Sequence, residues 1–243
     1  MDNRVLVVVP TYNERENIGL LVEQVGAINP QFCMLVVDDN SKDGTVQEVV
    51  KLQSKYRNLY TIIRNTREGL GSACREGLLY AIKEGFDAVV LMDADLSHAP
   101  SDIPKMLELL QSYDLVIGSR YVAGGGFVDV PFIRVVNSRV SNAIARGLLR
   151  LPVNDITSGF RAMKRNFLER IDLTTFGYEG YSFYIELTLR AFAQGFKIGE
   201  FPIQFRRRHS GRSKISLKIL VDTLFRVLFL SRNNKRRVPV QQP

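Results

Sequence analysis

Two aspartates separated by one residue, Asp93 and Asp95, follow an apolar run in the stretch VVLMDADLSHAP, residues 89–100. Side chains two positions apart on an extended chain point the same way. We therefore expect both carboxylates on one face, where a buried strand leaves its sheet. Such a pair binds a cation or repels itself. The same pattern occurs in strands that end in a phosphoacceptor aspartate and in strands that end in a metal-binding aspartate. Both interpretations therefore stay open.

More carboxylates are expected at the same edge. Asp38 and Asp39 close the second apolar run, and Glu14 follows the first. An isolated pair of aspartates before SKDGT is typical of acids that cap a helix and neutralise its dipole. Five converging acids repel one another, however, which predicts a bound cation or ligand groups that accept carboxylates. Oxygen ligands suit Mg²⁺ or Mn²⁺, and water and substrate phosphates usually complete the coordination shell of these ions. The sequence therefore indicates a metal–diphosphate site.

Cationic side chains provide the opposite charge. Arg120 ends the fifth apolar run, and the basic loop RRRHSGRSK, residues 206–214, contains Arg208 and Lys214. Such cations are also typical of a solvated surface or of a patch for a nucleic-acid backbone. The chain has no Trp and no alternation of basic with aromatic residues, so nucleic acid is not an expected partner. His98, a lone histidine near a proline, is predicted to be an ordinary loop residue.

The elements that must position these residues follow from hydrophobic periodicity. Apolar runs lie at 4–9, 33–37, 59–63, 88–92 and 115–118, and helical patterns lie near 14–27, 44–56, 70–84 and 101–112. Apolar runs without polar alternation, separated by helices, predict an α/β fold with a parallel sheet covered on both faces. In such a fold, ligands bind outside the carboxyl ends of the strands. Helical patterns at 132–151 and 182–194 and a strand-like run at 197–205 are expected to extend the same sheet.

Composition excludes several classes of protein. The chain has 243 residues, 45% of them hydrophobic, and a formal net charge of +8, which favours an anionic partner. Its two cysteines, Cys33 and Cys74, form no CxxC motif, so neither a zinc site nor a disulfide framework is expected. This pattern fits a protein of the reducing cytoplasm. The first apolar run is too short for a signal peptide, and none reaches the roughly 18 to 20 residues of a membrane span. An integral membrane protein is therefore not expected.

The segment ISLKILVDTLFRVLFL, residues 215–230, is amphipathic in a helix. Lys218, Asp222 and Arg226 recur every four residues on one stripe, and leucine, valine and phenylalanine fill the other side. Such a helix is only ~24 Å long, short of the ~30 Å hydrocarbon core. We therefore predict a helix in the plane of a membrane surface with anionic lipids. A terminal helix that packs on the core is the competing interpretation.

Several motifs occur in a fixed order. They are PTYNERENI (10–18), VVDDNSKDGT (36–45), DADLSHAP (93–100), GSRYV (118–122), DITSGFRAMKR (155–165), GYSFYIEL (180–187) and SGRSK (210–214). Over residues 4–230 the chain resembles the family 2 glycosyltransferases with a GT-A fold, most closely the dolichol-phosphate (polyprenol-phosphate) mannose synthases. The resemblance implies a GT-A catalytic domain at 1–214, with an acceptor helix at 132–151. A membrane-interface helix at 215–231 and a basic tail at 232–243 would follow.

The resemblance also implies roles for individual residues. The positions that match guanosine-binding residues of the family are Pro10, Tyr12, Glu14, Val37 and Asp39. Those that match residues facing the nucleotide-sugar are Asp93, Ala94 and Asp95, with Asp95 on the metal. Those that match residues meeting the diphosphate and the sugar are Arg120, Arg208 and Lys214. The acceptor lipid phosphate is expected at Arg134 and Ser138, one helical turn apart. Catalysis is thus expected of Asp93, Asp95, Arg120, Arg208 and Lys214.

The chain departs from the family pattern at two places. Members often have DADLQ, in which the glutamine carbonyl joins the metal shell, whereas Ser97, with its shorter reach, stands at that position here. Ser97 is therefore a candidate metal ligand, and the preference between Mg²⁺ and Mn²⁺ stays open. The pair of transmembrane helices that ends some relatives is also missing. Either the segment 215–230 or a separate anchoring protein is then expected to bring the enzyme to the membrane.

The activity implied by the resemblance is inverting transfer of mannose from GDP-mannose to dolichyl or polyprenyl phosphate, at the cytoplasmic face of a membrane. The nearest alternative is a transferase that uses UDP-glucose or another sugar nucleotide on the same lipid class. A receiver-type signalling domain fits less well, because a whole strand and helix precede the paired aspartates. A basic membrane-binding module without catalysis leaves the acid cluster unexplained.

Overall fold

A computed structural model describes residues 4–176 and 182–210 of the chain. In that part of the chain the strands are β1 Val5–Thr11, β2 Cys33–Asp38, β3 Leu59–Ile63, β4 Ala88–Leu91, β5 Leu115–Ser119, β6 Gly126–Val128, β7 Arg161–Lys164, β8 Ile198–Pro202 and β9 Gln204–Arg206. The α-helices are α1 Arg15–Ile28, α2 Thr45–Gln53, α3 Leu70–Lys83, α4 Ile103–Leu109, α5 Phe132–Leu149, α6 Arg165–Arg170 and α7 Ser182–Ala193. Short 3₁₀ turns lie at Pro100–Asp102 and Leu173–Thr175.

The central sheet has seven strands in the order β3-β2-β1-β4-β7-β5-β8. Strands β1 to β4 pair in parallel, and β5 pairs in parallel with β8. Strand β7 is inserted antiparallel between β4 and β5. A second, two-stranded sheet joins β6 and β9 in parallel. The predicted α/β architecture with a mostly parallel sheet is therefore confirmed, as is the expectation that the second half of the chain extends the same sheet.

Both faces of the central sheet are covered by apolar helices. Along β1, Leu6 and Val8 belong to one core cluster and Val7 and Val9 to the other, because successive side chains in a strand point to opposite faces. Helix α1 buries residues at helical spacing against the second cluster: Ile18, Leu21, Val22 and Val25. Helix α3 covers the first cluster with Ala73, Cys74, Leu78 and Ala81. Burial on both sides explains why the strands appear in the sequence as continuous apolar runs.

Helix α5 differs from the other long helices because few of its side chains are buried among the described residues. Its buried residues are Asn142, Ala145 and Leu149, all in its second half. They lie at the spacing of one helix face, and Ala145 and Leu149 join a third, smaller cluster with Ile185 and Leu189 of α7. Within residues 4–176 and 182–210, no helix is both long enough and apolar enough to cross a bilayer.

Three details of the predicted elements need correction. The single strand expected at 197–205 is two strands, β8 and β9, which belong to different sheets. The helix expected at 101–112 is a 3₁₀ turn followed by the seven-residue α4. Strand β7 was not predicted as a strand, because two of its four residues are cationic.

Candidate active site

The register of the sheet brings four strand ends to one edge. Strands β1 and β2 end level, with Thr11 opposite Asp38, and the paired part of β4 ends at Leu91, opposite Val8. The segments that follow β1, β2, β4 and β5 carry Glu14, Asp39, Asp93 and Arg120 respectively. The predicted collection of charged residues at the carboxyl ends of the strands is therefore confirmed.

The loop after β4 fixes its two aspartates through main-chain contacts. Leu96 has a φ of 60°, a left-handed conformation that is uncommon for leucine and is often found at functional sites. The amide of Ser97 donates to Asp95 Oδ1 at 3.0 Å. The amide of Asp93 donates to His98 Nδ1 at 3.3 Å. The protein itself therefore holds the two aspartates in place.

The charges that act on Asp93 show which predicted residues share the site. Burial, together with the neighbouring Asp95 carboxylate, raises the pKa of Asp93 to about 7, and Glu14 acts in the same direction. Arg208 and Arg120 act in the opposite direction. The Nη2 atom of Arg208 lies 3.2 Å from Asp95 Oδ2. The structure thus brings five predicted site residues into electrostatic reach of one another.

Arg120 is oriented by a carboxylate that the sequence did not single out. Its Nε and Nη2 donate to the two oxygens of Asp155 at 2.7 and 2.8 Å, a bidentate pair. Burial acts to raise the pKa of Asp155, but the charge and hydrogen bonds of Arg120 outweigh burial and hold this pKa below its usual range. Three aromatic rings lie 5.2 to 5.7 Å from the guanidinium carbon: Tyr121, Phe127 and Phe205. Arg120 is therefore a preorganised cation.

Protein groups donate hydrogen bonds to the two acids that end β2, where the repulsion among the five acids predicted a bound cation or ligand groups that accept carboxylates. Asp38 accepts hydrogen bonds from the amide and the hydroxyl of Ser41 at 2.8 and 2.6 Å. Asp39 pairs with Arg64 at 2.9 Å and accepts from two backbone amides just before α3. Ser41 lies only three residues from Asp38, whereas the donors to Asp39 lie 25 to 30 residues away and fold back onto this edge. The case for a cation therefore depends on Asp93 and Asp95.

The residues predicted to contact the nucleotide differ in accessibility. Tyr12 is partly exposed, and the Arg67 guanidinium carbon lies 3.9 Å from the centroid of its ring. Pro10 is buried at the end of β1, and Ala94 is 3% exposed. The side chain of Val37 is 0% exposed and lies in the core, so contact of this residue with a nucleotide stays a prediction that only its main chain is placed to fulfil. Its side chain belongs to the cluster beneath α3 because alternate residues of β2 point to that face.

The two candidates for the acceptor phosphate lie on α5, as the helical pattern predicts. Arg134 is exposed in the first turn, and Ser138 follows one turn later. The Ser138 Oγ lies 2.7 Å from the hydroxyl of Tyr121, the residue after Arg120. This hydrogen bond connects α5 to the segment that follows β5. Binding of phosphate by Arg134 and Ser138 stays a prediction.

Other predictions concern residues outside the described part of the chain. Lys214, the helix at 215–231 and the basic tail at 232–243 all lie there, so what was expected of them stays a prediction. Ser97 is described and is 1% exposed on the loop after β4. Its place among the ligands of a metal also stays a prediction.

His98 is a structural part of the site and not the ordinary loop residue that was predicted. It is 2% exposed and stacks on Phe160, with 5.1 Å between ring centroids. Burial lowers the pKa of His98 to about 4, so the ring is neutral near pH 7. Because its Nδ1 accepts the Asp93 amide, the ring hydrogen belongs on Nε2. A single histidine in a sequence gives no signal of such a contact.

Gly159, in the motif DITSGFRAMKR, lets a loop approach Asp93 closely. A Cβ atom at position 159 would lie 3.2 Å from Asp93 Oδ1 and 3.0 Å from the hydroxyl oxygen of Tyr184. Any larger side chain would therefore push against the acid pair. The nearby Arg161 is 0% exposed and donates to the carbonyls of Ser158 and Ile156. These hydrogen bonds fix the loop that carries Gly159.

A metal at this edge would have few protein ligands. Among the residues that the structure describes, no group of three or more His, Cys, Asp or Glu side chains is arranged to hold a metal ion. Asp93 and Asp95 offer carboxylate oxygens, the ligands that Mg²⁺ and Mn²⁺ prefer. Burial is the main cause of the raised pKa of Asp93 and the Asp95 carboxylate adds to it, and a divalent cation would stabilise both carboxylates in their charged form. The donor set fits a metal held by one or two carboxylates and completed by diphosphate oxygens and water.

A mostly parallel sheet with paired acids and arginines at its strand ends defines an α/β protein whose ligands bind at the carboxyl ends of the strands. The model of "Glycosyl transferase family 2" matches residues 6–172. That match covers more than half of the chain, which therefore belongs to glycosyl transferase family 2. The protein is a glycosyltransferase with a GT-A fold.

Named relatives are similar along most of the chain. The polyprenol monophosphomannose synthase of Mycolicibacterium smegmatis is 42% identical over 227 residues, which is 92% of this chain and 85% of that protein. The undecaprenyl-phosphate mannosyltransferase of Micrococcus luteus is 38% identical over 224 residues, 92% of either chain. The dolichol-phosphate mannosyltransferase of Pyrococcus furiosus is 36% identical over 229 residues, 91% of this chain and 62% of that protein.

Solved structures share the fold at lower identity. A crystal structure of glucosyl-3-phosphoglycerate synthase from Mycobacterium tuberculosis with phosphoglyceric acid superposes with a TM-score of 0.70 at 18% identity, covering 99% of this chain and 82% of that one. The same enzyme in complex with Mn²⁺ and UDP-glucose gives a TM-score of 0.69 at 20% identity, covering 99% and 81%. At this level of identity the likeness shows the fold alone.

Proposed function

We propose that the protein transfers mannose from GDP-mannose to dolichyl or polyprenyl phosphate, with inversion at the anomeric carbon and release of GDP. The observation that carries the proposal is that the acid pair Asp93 and Asp95, the cation Arg208 and the acceptor helix α5 are arranged around one sheet edge. The names of the three relatives describe mannosyl transfer to lipids of this kind, and this supports the choice of sugar and acceptor.

The reaction forms one bond and breaks one bond. An oxygen of the acceptor phosphate attacks the anomeric carbon of mannose, and the bond from this carbon to the diphosphate oxygen breaks, so that GDP leaves with the electron pair. The acceptor phosphate is already anionic, so the step requires no dedicated general base. The tasks left to the protein are to position both substrates and to stabilise the charge that develops on the diphosphate.

We assign the leaving diphosphate to the cations around the acid pair. Arg208 lies beside Asp95, and its planar guanidinium matches phosphate oxygens. Arg120, oriented by Asp155, supplies a second fixed positive charge. Lys214 is assigned the same task from the resemblance. A divalent ion, Mg²⁺ or Mn²⁺, on Asp95 with Ser97 as a further candidate ligand, would neutralise part of the diphosphate charge when bound.

We assign the guanosine to the edge that follows β1 and β2. Tyr12 offers a partly exposed ring next to the charge of Arg67. Glu14 and Asp39 are carboxylates on the adjoining loops, and Asp39 is held in place by Arg64. Guanine presents N1–H and an adjacent 2-amino group, two donors for one carboxylate, whereas uracil presents a single N3–H, and this difference supports GDP over UDP.

The exposed face of α5 supports a peripheral location on a membrane surface, and the resemblance implies the cytoplasmic face. Large apolar side chains on this helix are 38 to 81% exposed: Phe132, Ile133, Val140, Ile144 and Leu148. Arginines 134 and 139 lie among them, an arrangement that suits a bilayer interface with anionic lipids. A prenyl chain whose phosphate is bound at Arg134 and Ser138 would enter that same bilayer. The segment at 215–231 or a separate anchoring protein would add to this attachment.

The experiment that tests the function uses the purified full-length protein. Labelled GDP-mannose or UDP-glucose is supplied with polyprenyl phosphate in vesicles, in the presence of Mg²⁺, Mn²⁺ or a chelator. We expect label in the lipid fraction only with GDP-mannose, acceptor and metal together. Transfer from UDP-glucose alone would replace the mannosyl proposal with the glucosyl alternative. Absence of transfer from both donors would overturn the proposal, and full transfer in chelator would overturn the metal assignment.

A further inference from the structure

The first half of helix α5, residues 132–141, is held to the protein by few packing contacts. Each side chain from Phe132 to Ser141 is exposed or only partly covered, and the first buried residue of the helix is Asn142. Apolar packing therefore fixes the second half of α5, through Ala145 and Leu149. The half that carries Arg134 and Ser138 depends on other contacts for its position.

Two polar contacts, one helical turn apart, tie α5 to the surroundings of Arg120. The Ser138 Oγ lies 2.7 Å from the Tyr121 hydroxyl, at the end of β5. The Asn142 side chain donates to the Asn154 carbonyl and accepts from the Ile156 amide. The loop that holds Asn142 is the one whose Asp155 binds Arg120. Among the described residues, the hydrogen bond of Ser138 with Tyr121 is the side-chain hydrogen bond that reaches the first half of the helix.

The ring of Tyr121 has its own support, so its hydroxyl is presented in a fixed place. The centroid of the ring lies 5.2 Å from the guanidinium carbon of Arg120 and 5.9 Å from the ring centroid of Phe127. Burial raises the pKa of Tyr121, so the hydroxyl keeps its proton near neutral pH. It can therefore give a hydrogen bond to Ser138 or accept one from it.

We propose that Tyr121 is a positioning residue for the acceptor phosphate: its hydroxyl holds Ser138, and with it the first half of α5, at a set distance from Arg120. The inference rests on the proposed function, because it takes Ser138 and Arg134 as the acceptor site. Tyr121 acts through Ser138 and does not itself touch the substrate. Its loss is therefore expected to affect the acceptor and to spare the donor.

The test compares Tyr121→Phe, Ser138→Ala and the double variant. Phenylalanine keeps the ring contacts and removes only the hydroxyl. One neutral hydrogen bond corresponds to a change of roughly 2- to 12-fold. We expect Tyr121→Phe to raise the KM for polyprenyl phosphate by that factor, with little change in the Kd for GDP-mannose. The double variant should be no worse than Ser138→Ala, because both single changes remove the same contact. Tyr113→Phe, whose ring packs against Gly199 near the other end of β5, is the matched control.

An unchanged acceptor KM in Tyr121→Phe would overturn the inference, as would effects of the two single changes that multiply in the double variant. An equal loss of donor affinity would also overturn it, since the tyrosine would then act on the whole site. Hydrogen exchange of the full-length protein gives a readout that needs no activity. Tyr121→Phe should speed exchange at residues 132–141 more than at 142–149. If the wild-type protein transfers no mannose, the proposed function fails, and exchange still decides whether Tyr121 holds the helix.

Discussion

The variant Asp155→Asn keeps the shape of a side chain that is 0% exposed and removes its charge. The wild-type carboxylate accepts six hydrogen bonds, three of them from Arg120 and the others from Thr157 and Ser158. Asparagine has a single acceptor oxygen, and its amino group would face N–H donors that need an acceptor. The guanidinium of Arg120, 11% exposed, would lose its counter-charge in a place that water reaches poorly.

The size of the effect follows from burial. Removing one partner of a buried ion pair costs about 3 to 5 kcal/mol, because the other charge is left without compensation. A domain of this kind is stable by about 5 to 15 kcal/mol in total. At about 2 to 4 °C per kcal/mol for a chain of this size, the melting temperature of Asp155→Asn should fall by roughly 6 to 20 °C.

Thermal and urea unfolding followed by circular dichroism measure this loss. The control is Glu169→Gln, which breaks the pair of Glu169 with Arg165, whose side chains are 43 and 44% exposed. An exposed pair at this helical spacing contributes only about 0.3 to 0.5 kcal/mol. A loss in Asp155→Asn no larger than that of the control would refute the claim that Asp155 holds Arg120.

The same difference should depend on pH in a defined direction. The pKa of Asp155 is lower in the folded protein than its ordinary value, so its stabilisation is complete above about pH 4, the unfolded pKa of an aspartate. It is lost as the pH falls through the lower, folded pKa. The stability gap between wild type and Asp155→Asn is therefore expected to narrow in acid. A gap that stays constant from pH 7 to the acid limit of folding would contradict the ion-pair account.

Three further predictions concern single side chains. Asp95→Ala should abolish metal-dependent transfer in a protein that still folds; full activity would remove Asp95 from the metal site. Arg134→Ala should raise the KM for lipid phosphate at least several-fold with donor binding intact, since it removes a charge-assisted contact; equal loss of nucleotide binding would show that the two sites were confused. Gly159→Ala should cost about 1 to 3 kcal/mol and reduce activity, because its Cβ would crowd Asp93; Gly19→Ala, with open space at its Cβ, is the control, and equal losses in both would refute this.

The sequence predicts the fold well where a strand is buried on both faces. The run LVIG at 115–118, for instance, corresponds to β5, Leu115–Ser119, all of it buried. Strand β7 is not recognised from a continuous apolar run because it contains Arg161, a cation that is 0% exposed. That side chain is compensated by the carbonyls of Ser158 and Ile156 and by Thr188, which the apolar pattern of the strand cannot reveal. Periodicity therefore identifies strands whose burial is apolar and misses one whose burial is polar.

The sequence also predicts which charged residues meet, and it fails at their partners. Topology alone places Asp39 and Asp93 at one edge, because parallel strands end there together. The compensation of Asp39 by Arg64 and of Arg120 by Asp155 depends on loops 25 and 35 residues away in the chain. No local pattern specifies such a pairing. For this reason the sequence predicts the repulsion among the five acids but not the protein donors that compensate Asp39.

The structure thus separates residues that are candidates to touch the substrates from residues that hold them. The pairs are Asp39 with Arg64, Asp93 with His98, Arg120 with Asp155, and Ser138 with Tyr121. A change in a candidate ligand removes a contact made in the transition state and should lower kcat/KM with the fold intact. A change in a residue that positions such a side chain leaves this side chain present but free to move. The variant should then be less stable or have a higher KM for one substrate. Measuring the stability, the donor KM and the acceptor KM for variants of each pair therefore distinguishes a residue that contacts substrate from one that positions it. If both members of a pair behave alike, the positioning residue is itself part of the reaction.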